Sequence, residues 1–469
     1  MDKKIYLLKN TLIFAISIFS TKLITFFLVP LYTNSLTPEE YGVVDLLFTI
    51  SSFLYPLFTL NISEAIYRFS MEEDCNHTKI YNIGITCFIL CVLLGLITLP
   101  VLNCFDVYKQ YALYFYVYLI TLSLAQILLV SLKGREKLKL FNLGNIINTL
   151  GIAILNIIFL VVLKYGIDGY FISYIIANVI TIIFGITTTK FFKNVKSFKF
   201  DKKLFLEMIK YSVILIPTSF MWWITNSSDR VMVSSFVGNH ATGLYAISYK
   251  IPSLLTVVAS IFNQAWIFSA IKEKNNSENE SFTNNIFKLL FFIIALLSLI
   301  ILIIIKPLFK VYVAAEYFVA WKYVPILIIG FIFMTLATFI STSYNVYKDS
   351  KGFLYSGLVG ALSNIIMNFI LIPKFGVYGA AVATLFSYIM VFIYRLVDTK
   401  KYLKIHITFI YYINLLIIVL CSIFVYLKSN VSYVLNLILL FIYIILNRKT
   451  INEMINYGLS FIRKKIKTN

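Results

Sequence analysis

Seven ionisable residues stand inside long apolar runs: Lys22, Asp45, Glu64, Arg68, Asp229, Arg230 and Lys250. A charge at mid-membrane costs roughly 2.5–3.5 kcal/mol on insertion scales, so such residues face a bundle interior or water and mark routes for ions and polar substrates. Asn226, Asp229 and Arg230 fall at i, i+3 and i+4, which puts them on one helix face. Glu64 and Arg68 are i,i+4 with the acid first, and read as a pair that neutralises itself near the interface. Lys22 and Lys250 have no acidic residue three or four positions away. Each suits an anion-facing role as well as a structural one, although Lys22 is too central in its run to snorkel easily. Tyr245, Tyr249, Trp222 and Trp223 are aromatic candidates for stacking on a sugar ring, set against ordinary lipid-facing and interfacial use.

The elements that must position these residues are membrane helices. The chain is 469 residues long, 60% hydrophobic and 13% charged, with a mean hydropathy of +0.87. A soluble protein would be about 25% charged, and this one has too little polar surface to coat a water-facing exterior. About twenty apolar residues cross the hydrocarbon core as a helix. On that basis the chain is an all-α integral membrane protein with about fourteen transmembrane helices. The buried charges lie in the first, second, seventh and eighth of them, spanning 10–33, 42–67, 211–237 and 241–270. Pro30, Pro56, Pro217, Pro252 and Pro325 interrupt spans or their ends and permit bends.

The net charge of +20 does not indicate nucleic acid. The basic residues sit in short segments between apolar runs, where they meet anionic headgroups and fix topology. With both termini on the cytoplasmic side, about 31 of the 41 basic residues face inward. The clearest inward loop is 190–210, with seven lysines, and KGREKLK at 133–139 agrees with it.

Residues 164–179 (KYGIDGYFISYIIANV) and 374–389 (KFGVYGAAVATLFSYI) repeat a Lys-aromatic-Gly turn with a second glycine three residues on. Six spans separate them, so the two halves enter the membrane with the same orientation. The expected arrangement is two six-helix bundles related by a pseudo-two-fold axis along the membrane normal. The domains are then an N-terminal bundle over 1–189, a basic cytoplasmic linker over 190–210, a C-terminal bundle over 211–398, and two further helices with a basic tail over 399–469.

Several chemistries are missing from the sequence. Cys87 and Cys91 are i,i+4, but with three scattered histidines they read as small apolar packing residues rather than metal ligands. No phosphate-binding loop, H-E-x-x-H pair or nucleophile elbow occurs, and no loop is long enough for a nucleotide-binding domain. No catalytic residues, metal or cofactor are expected, beyond a possible coupling H+ or Na+.

The stretch SLTPEEYGVVD at 35–45, after a first span ending in Pro30-Leu31-Tyr32, resembles the start of bacterial polysaccharide biosynthesis proteins of the oligosaccharide-flippase type. WITNSSDRVMVSSFVGNHATGLYAISYKI at 223–251 is similar to their seventh-to-eighth-span hallmark, and Gly376 with Gly379-Ala380-Ala381 matches a further turn. The resemblance implies membership of the multidrug/oligosaccharidyl-lipid/polysaccharide exporter superfamily, with a MATE-like fold around a central cationic cavity. It implies a flippase that moves undecaprenyl-pyrophosphate-linked oligosaccharide from the inner to the outer leaflet of a bacterial or archaeal cytoplasmic membrane by alternating access. Polysaccharide polymerase and glycosyltransferases would be its partners, and nucleic acid would not. Asp229, Arg230 and Lys250 match the hallmark block. Lys22, Arg230, Lys250, Asn226, Tyr245 and Tyr249 are then the candidate residues for pyrophosphate and sugar, and Asp45 and Asp229 the candidates for ion coupling. The cavity is less basic than in peptidoglycan-precursor flippases, which counts against lipid II as cargo. A cation-coupled drug or metabolite exporter of the same fold stays open, as does a membrane polymerase, though no large outward loop is present to hold a polymerase site.

Overall fold

The computed structural model describes residues 3–72, 75–102, 110–190, 200–273 and 279–454. Among them there is no β-strand, and the helices run α1 (Lys3–Ser35), α2 (Pro38–Phe58), α3 (Ile62–Phe69), α4 (His77–Leu102), α5 (Ala112–Gly134), α6 (Leu138–Asn156) and α7 (Gly166–Thr189). They continue with α8 (Lys202–Phe236), α9 (Asn239–Lys250), α10 (Leu254–Glu273), α11 (Asn279–Tyr312), α12 (Val324–Tyr347), α13 (Ser350–Phe375), α14 (Val377–Asp398), α15 (Phe409–Phe424) and α16 (Ser429–Leu446). By length and composition, nine helices among the described residues can cross a membrane, or ten if a bent pair at the C-terminal end counts as one. Of the expected linker, 191–199 lies outside the described residues, whereas 202–210 is already helical as the start of α8 rather than linker; the basic tail from 455 to 469 also lies outside them.

Two of the expected spans are broken. The second is not continuous over 42–67. Thr37 caps α2 through a reciprocal bond with Glu40, Pro38 takes the first turn where its missing N–H costs nothing, and the helix stops at Phe58. Leu60 and Asn61 then adopt left-handed φ of 50° and 53°, and α3 restarts. Arg68 pairs with Glu72 at 3.3 Å instead of with Glu64, and both groups are half exposed. The eighth span breaks at 251–253, where Pro252 supplies no donor to continue the ladder.

By contacts the chain divides into residues 1–246 and 247–469. In the first unit α7 packs on α5 and α6, and α8 lies along α2 and α3. Ile62, Ile66, Ile83, Cys87, Cys91 and Met208 meet in one core cluster. The two cysteines therefore serve as apolar filler, as expected. An aromatic layer surrounds Phe48, whose ring centroid is 4.5 Å from those of Tyr118 and Tyr174 and 5.5 Å from that of Tyr170. In the second unit α14 packs on α12 and α13, and α11 on α15 and α16. A reciprocal amide pair, Asn414 with Asn447 at 3.1 and 3.0 Å, ties α15 to the end of α16. In the repeated turns Gly166 and Gly376 share a left-handed φ, 55° and 56°.

One residue of the second unit carries a testable ionic lock. Asp349 caps α13 through the Gly352 N–H at 2.9 Å, and the same carboxylate accepts from Lys401 and Tyr402, each at 2.9 Å. The Gly352 N–H first, then Lys401 and Tyr402, hold its carboxyl down at about 2. An unfolded aspartate titrates near about 4, so the contribution is complete above that pH and is lost as pH falls through about 2. We expect Asp349→Ala to lower the melting temperature at neutral pH, with the gap from wild type closing between about pH 4 and pH 2. A gap that stays constant over that range would contradict the assignment.

Candidate polar seam of the first unit

The charged residues are positioned by the seam between α2 and α8. Asp45 stands two turns into α2 because Thr37 and Pro38 fix where that helix starts. Arg230 stands two turns before the end of α8. Its Nη1 donates to Asp45 Oδ1 at 3.1 Å. The side chains are 20% and 9% exposed, so the pair is largely taken out of solvent and neither charge can be removed cheaply. Tyr41, on the turn before, is buried beside it and its ring lies 6.1 Å from Tyr32.

Asp229 is fully buried. Its Oδ2 accepts a hydrogen bond from the Tyr245 hydroxyl, and its Oδ1 accepts the Arg230 backbone N–H at 2.9 Å. Deeper along α8, the Trp223 indole donates to the Thr49 carbonyl at 2.9 Å and to Ser52 Oγ at 3.0 Å. Its ring sits 4.6 Å from Phe53, and Phe53 stacks on Phe220 at 4.7 Å. Phe69 of α3 meets Tyr211 at 5.9 Å, so the seam extends toward the start of α8. At the opposite end α2 and α9 cross at Gly42 and Gly243.

The structure brings Asp45 to Arg230 and Asp229 to Tyr245, pairings that the sequence analysis did not make. Asn226 shares their helix face, and its side-chain amide donates to the Trp222 carbonyl of its own helix at 2.7 Å. Lys22 is exposed on α1. Tyr249 and Lys250 belong to the second unit, where the Tyr249 and Tyr388 hydroxyls are 2.9 Å apart and the Tyr249 ring lies 5.0 Å from Phe331. Trp223, a candidate for sugar stacking, is committed to α2 by its indole N–H.

The sequence reading missed Arg395. It lies inside a span, on α14, and is fully buried. Its Nε donates to Ser356 Oγ of α13 at 3.1 Å, and its Nη1 donates to the Ala337 carbonyl of α12 at 2.8 Å. Sequence reasoning also missed the Gly42–Gly243 crossing. The available signal was a glycine in the second turn of each helix, in TPEEYG and NHATG.

The sequence profile of the family described as "Polysaccharide biosynthesis protein" matches residues 7–268. The chain is 27% identical over 393 residues to an uncharacterized membrane protein of Methanocaldococcus jannaschii, covering 78% of this chain and 92% of that one. Among solved structures it is similar to "Lipid II flippase MurJ, inward closed conformation", with a TM-score of 0.62 at 17% identity, covering 95% of this chain and all (100%) of that one. It is also similar to an inward-facing "multidrug resistance MATE family transporter of the MOP superfamily", with a TM-score of 0.66 at 13% identity, covering 82% and 97% of the two chains. These likenesses show a shared fold.

Proposed function

This chain belongs to the polysaccharide biosynthesis protein family, and on that premise we propose that it is a flippase for lipid-linked oligosaccharide. The cargo is an undecaprenyl-pyrophosphate-linked glycan, turned from the inner to the outer leaflet of the cytoplasmic membrane. The observation that carries the reading is that the family match contains the whole polar seam, from Asp45 to Arg230 and Tyr245.

The physical problem is a pyrophosphate and a polar glycan that hydrocarbon will not dissolve, attached to a chain that water will not dissolve. Lys22, Arg230 and Lys250 supply positive potential to the pyrophosphate, where a low dielectric makes each charge count for more than it would in water. Asn226, Tyr245 and Tyr249 supply polar and aromatic contacts for the sugar. Asp45 and Asp229 are the coupling candidates. Asp45 is held by Arg230, so protonating it or binding a cation there would release the arginine toward an anionic cargo. The isoprenoid stays in the bilayer while the two halves alternate access, and both termini face the cytoplasm.

Deleting the gene should make cells accumulate lipid-linked oligosaccharide on the cytoplasmic leaflet and lose surface glycan. Undiminished surface glycan, with no accumulated intermediate, would overturn the reading. Accumulation of a cationic drug or metabolite instead would assign the chain to the exporter class of the same fold.

A further inference from the structure

The turn between α5 and α6 gathers cations that the fold does not neutralise. Lys133, Arg135, Lys137 and Lys139 stand in the run KGREKLK, where Glu136 is the one acid. Among the described residues none of the four forms a salt bridge, whereas Lys79 pairs with Asp201 and Lys401 with Asp349 and Asp398. Lys137 and Lys139 open α6, whose first turn holds no acid, and a cation there opposes the helix dipole. The other two are partly buried and set by aromatic rings. A Cβ placed on Gly134 would lie 2.6 Å from that of Ser70, so the glycine lets the end of α5 press on the end of α3. That approach puts the Lys133 ammonium 4.1 Å from the centre of the Tyr67 ring and 5.8 Å from that of Phe141. Glu64 of α3 acts on Lys133 through space. Arg135 is anchored on α4, with its guanidinium 5.5 Å from the centre of the Tyr81 ring and its Nη2 donating to the His77 carbonyl at 3.3 Å. Membrane topology asks only for cations on the inward side, which fully solvated lysines satisfy. It does not account for two of them being drawn onto rings.

We propose that the α5–α6 turn is a loading station, where the pyrophosphate of the cargo lipid docks before it reaches the polar seam. The proposal rests on the flippase reading and adds where the cargo first binds. A pyrophosphate carries more than one negative charge and suits a cluster of four cations better than a phosphodiester with a single charge. Cations held on rings meet it already positioned, without first leaving a carboxylate partner. The location fits as well. The Lys79–Asp201 pair, at 2.9 Å, ties the start of α8 to the start of α4, at the end of the first unit where Gly134 meets Ser70. Arg230 stands near the other end of the 35-residue α8, roughly 40 Å away along the helix. On the proposed orientation the turn therefore lies at the leaflet from which the cargo starts, and Arg230 toward the leaflet it enters.

Lys137 and Lys139 are exposed, so their acylation by an amine-reactive reagent, read by mass spectrometry, reports occupancy of the turn. In full-length protein in phosphatidylcholine nanodiscs, added undecaprenyl pyrophosphate should slow that acylation, and cardiolipin or phosphatidylglycerol at equal total charge should not. Equal protection by those phospholipids would make the turn a general contact for anionic lipid and overturn the proposal, as would no protection by undecaprenyl pyrophosphate. In protein carrying Lys133→Gln and Arg135→Gln, the concentration that protects Lys139 by half should rise about tenfold. The charge-preserving pair Lys133→Arg and Arg135→Lys should keep wild-type protection, which separates loss of charge from loss of fold. Arg230→Gln should leave the protection unchanged. Loss of protection in that variant would mean one site rather than two and would overturn the station. Transport at the wild-type rate by the double glutamine variant would overturn the station and leave the flippase reading standing. Protection as described, in a protein that moves no lipid-linked glycan, would count against the flippase reading alone.

Discussion

Cells carrying Arg230→Gln are expected to lose surface glycan while keeping the protein in the membrane at its normal level. Arg230 is the basic member of the polar seam whose geometry is fixed most closely, by its bond to Asp45 and by the position of α8 along α2. Glutamine removes the charge and keeps much of the length. A hydrogen bond to a charged group contributes roughly 1.5–3 kcal/mol, which corresponds to about a ten- to hundredfold loss of rate if it is made in the rate-limiting step. Truncation to alanine adds a second effect, because it leaves Asp45 buried without this partner and costs stability as well. For that reason glutamine is the cleaner substitution, and Asp45→Asn with Arg230→Gln should be better folded than Arg230→Ala. Lys22→Ala should also abolish surface glycan, with little effect on folding, because its side chain is exposed. Quantifying glycan per unit of membrane-inserted protein checks all of these. Full glycan in both the Arg230→Gln and Lys22→Ala strains would remove these residues from the cargo path.

Arg395→Ala is expected to be the most damaging single change to the second unit. The guanidinium is fully buried among α12, α13 and α14, with bonds to Ser356 and Ala337 and the Phe353 ring 5.6 Å from its centre. Alanine removes these bonds and leaves a cavity the size of the lost side chain. Large-to-small changes in cores cost about 2–5 kcal/mol, equivalent to a fall in melting temperature on the order of 5–15 °C. Arg395→Met fills most of the volume and abandons the polar contacts, so it should recover part of the loss. Thermal unfolding of the purified protein in detergent separates the two contributions. A melting temperature unchanged in Arg395→Ala would mean that the buried contacts contribute nothing.

The sequence made the class of fold and the seam legible for a physical reason. A membrane chain hides no charge without cause, so Asp45, Asp229 and Arg230 stood out against apolar surroundings, and the helix period put the last two three and four residues from Asn226 on its face. Arg395 escaped notice because an arginine in the last turn of a span looks like a cation reaching for the headgroups. Only the packing of three helices around it shows that it turns inward. The break after Phe58 was hidden because it depends on left-handed turns at Leu60 and Asn61 rather than on a proline at the break. Arg68 pairs with Glu72, a partner also four residues away and so indistinguishable by spacing from Glu64. The glycine crossing was unreadable for the opposite reason. Glycine in a helix registers as a local weakness, and its value here lies in a neighbour about two hundred positions distant in the chain.

On the proposed function, this chain moves a pyrophosphate-linked glycan across a membrane through the seam that holds Asp45 and Arg230. Purified protein should be reconstituted into liposomes loaded with undecaprenyl-pyrophosphate-linked oligosaccharide, and the fraction of glycan open to an impermeant cleaving enzyme followed over time. Wild-type protein should expose the protected inner-leaflet pool, and Arg230→Gln protein should leave it protected, as in protein-free liposomes. Equal exposure by wild type and Arg230→Gln, or no exposure by wild type, would contradict the account.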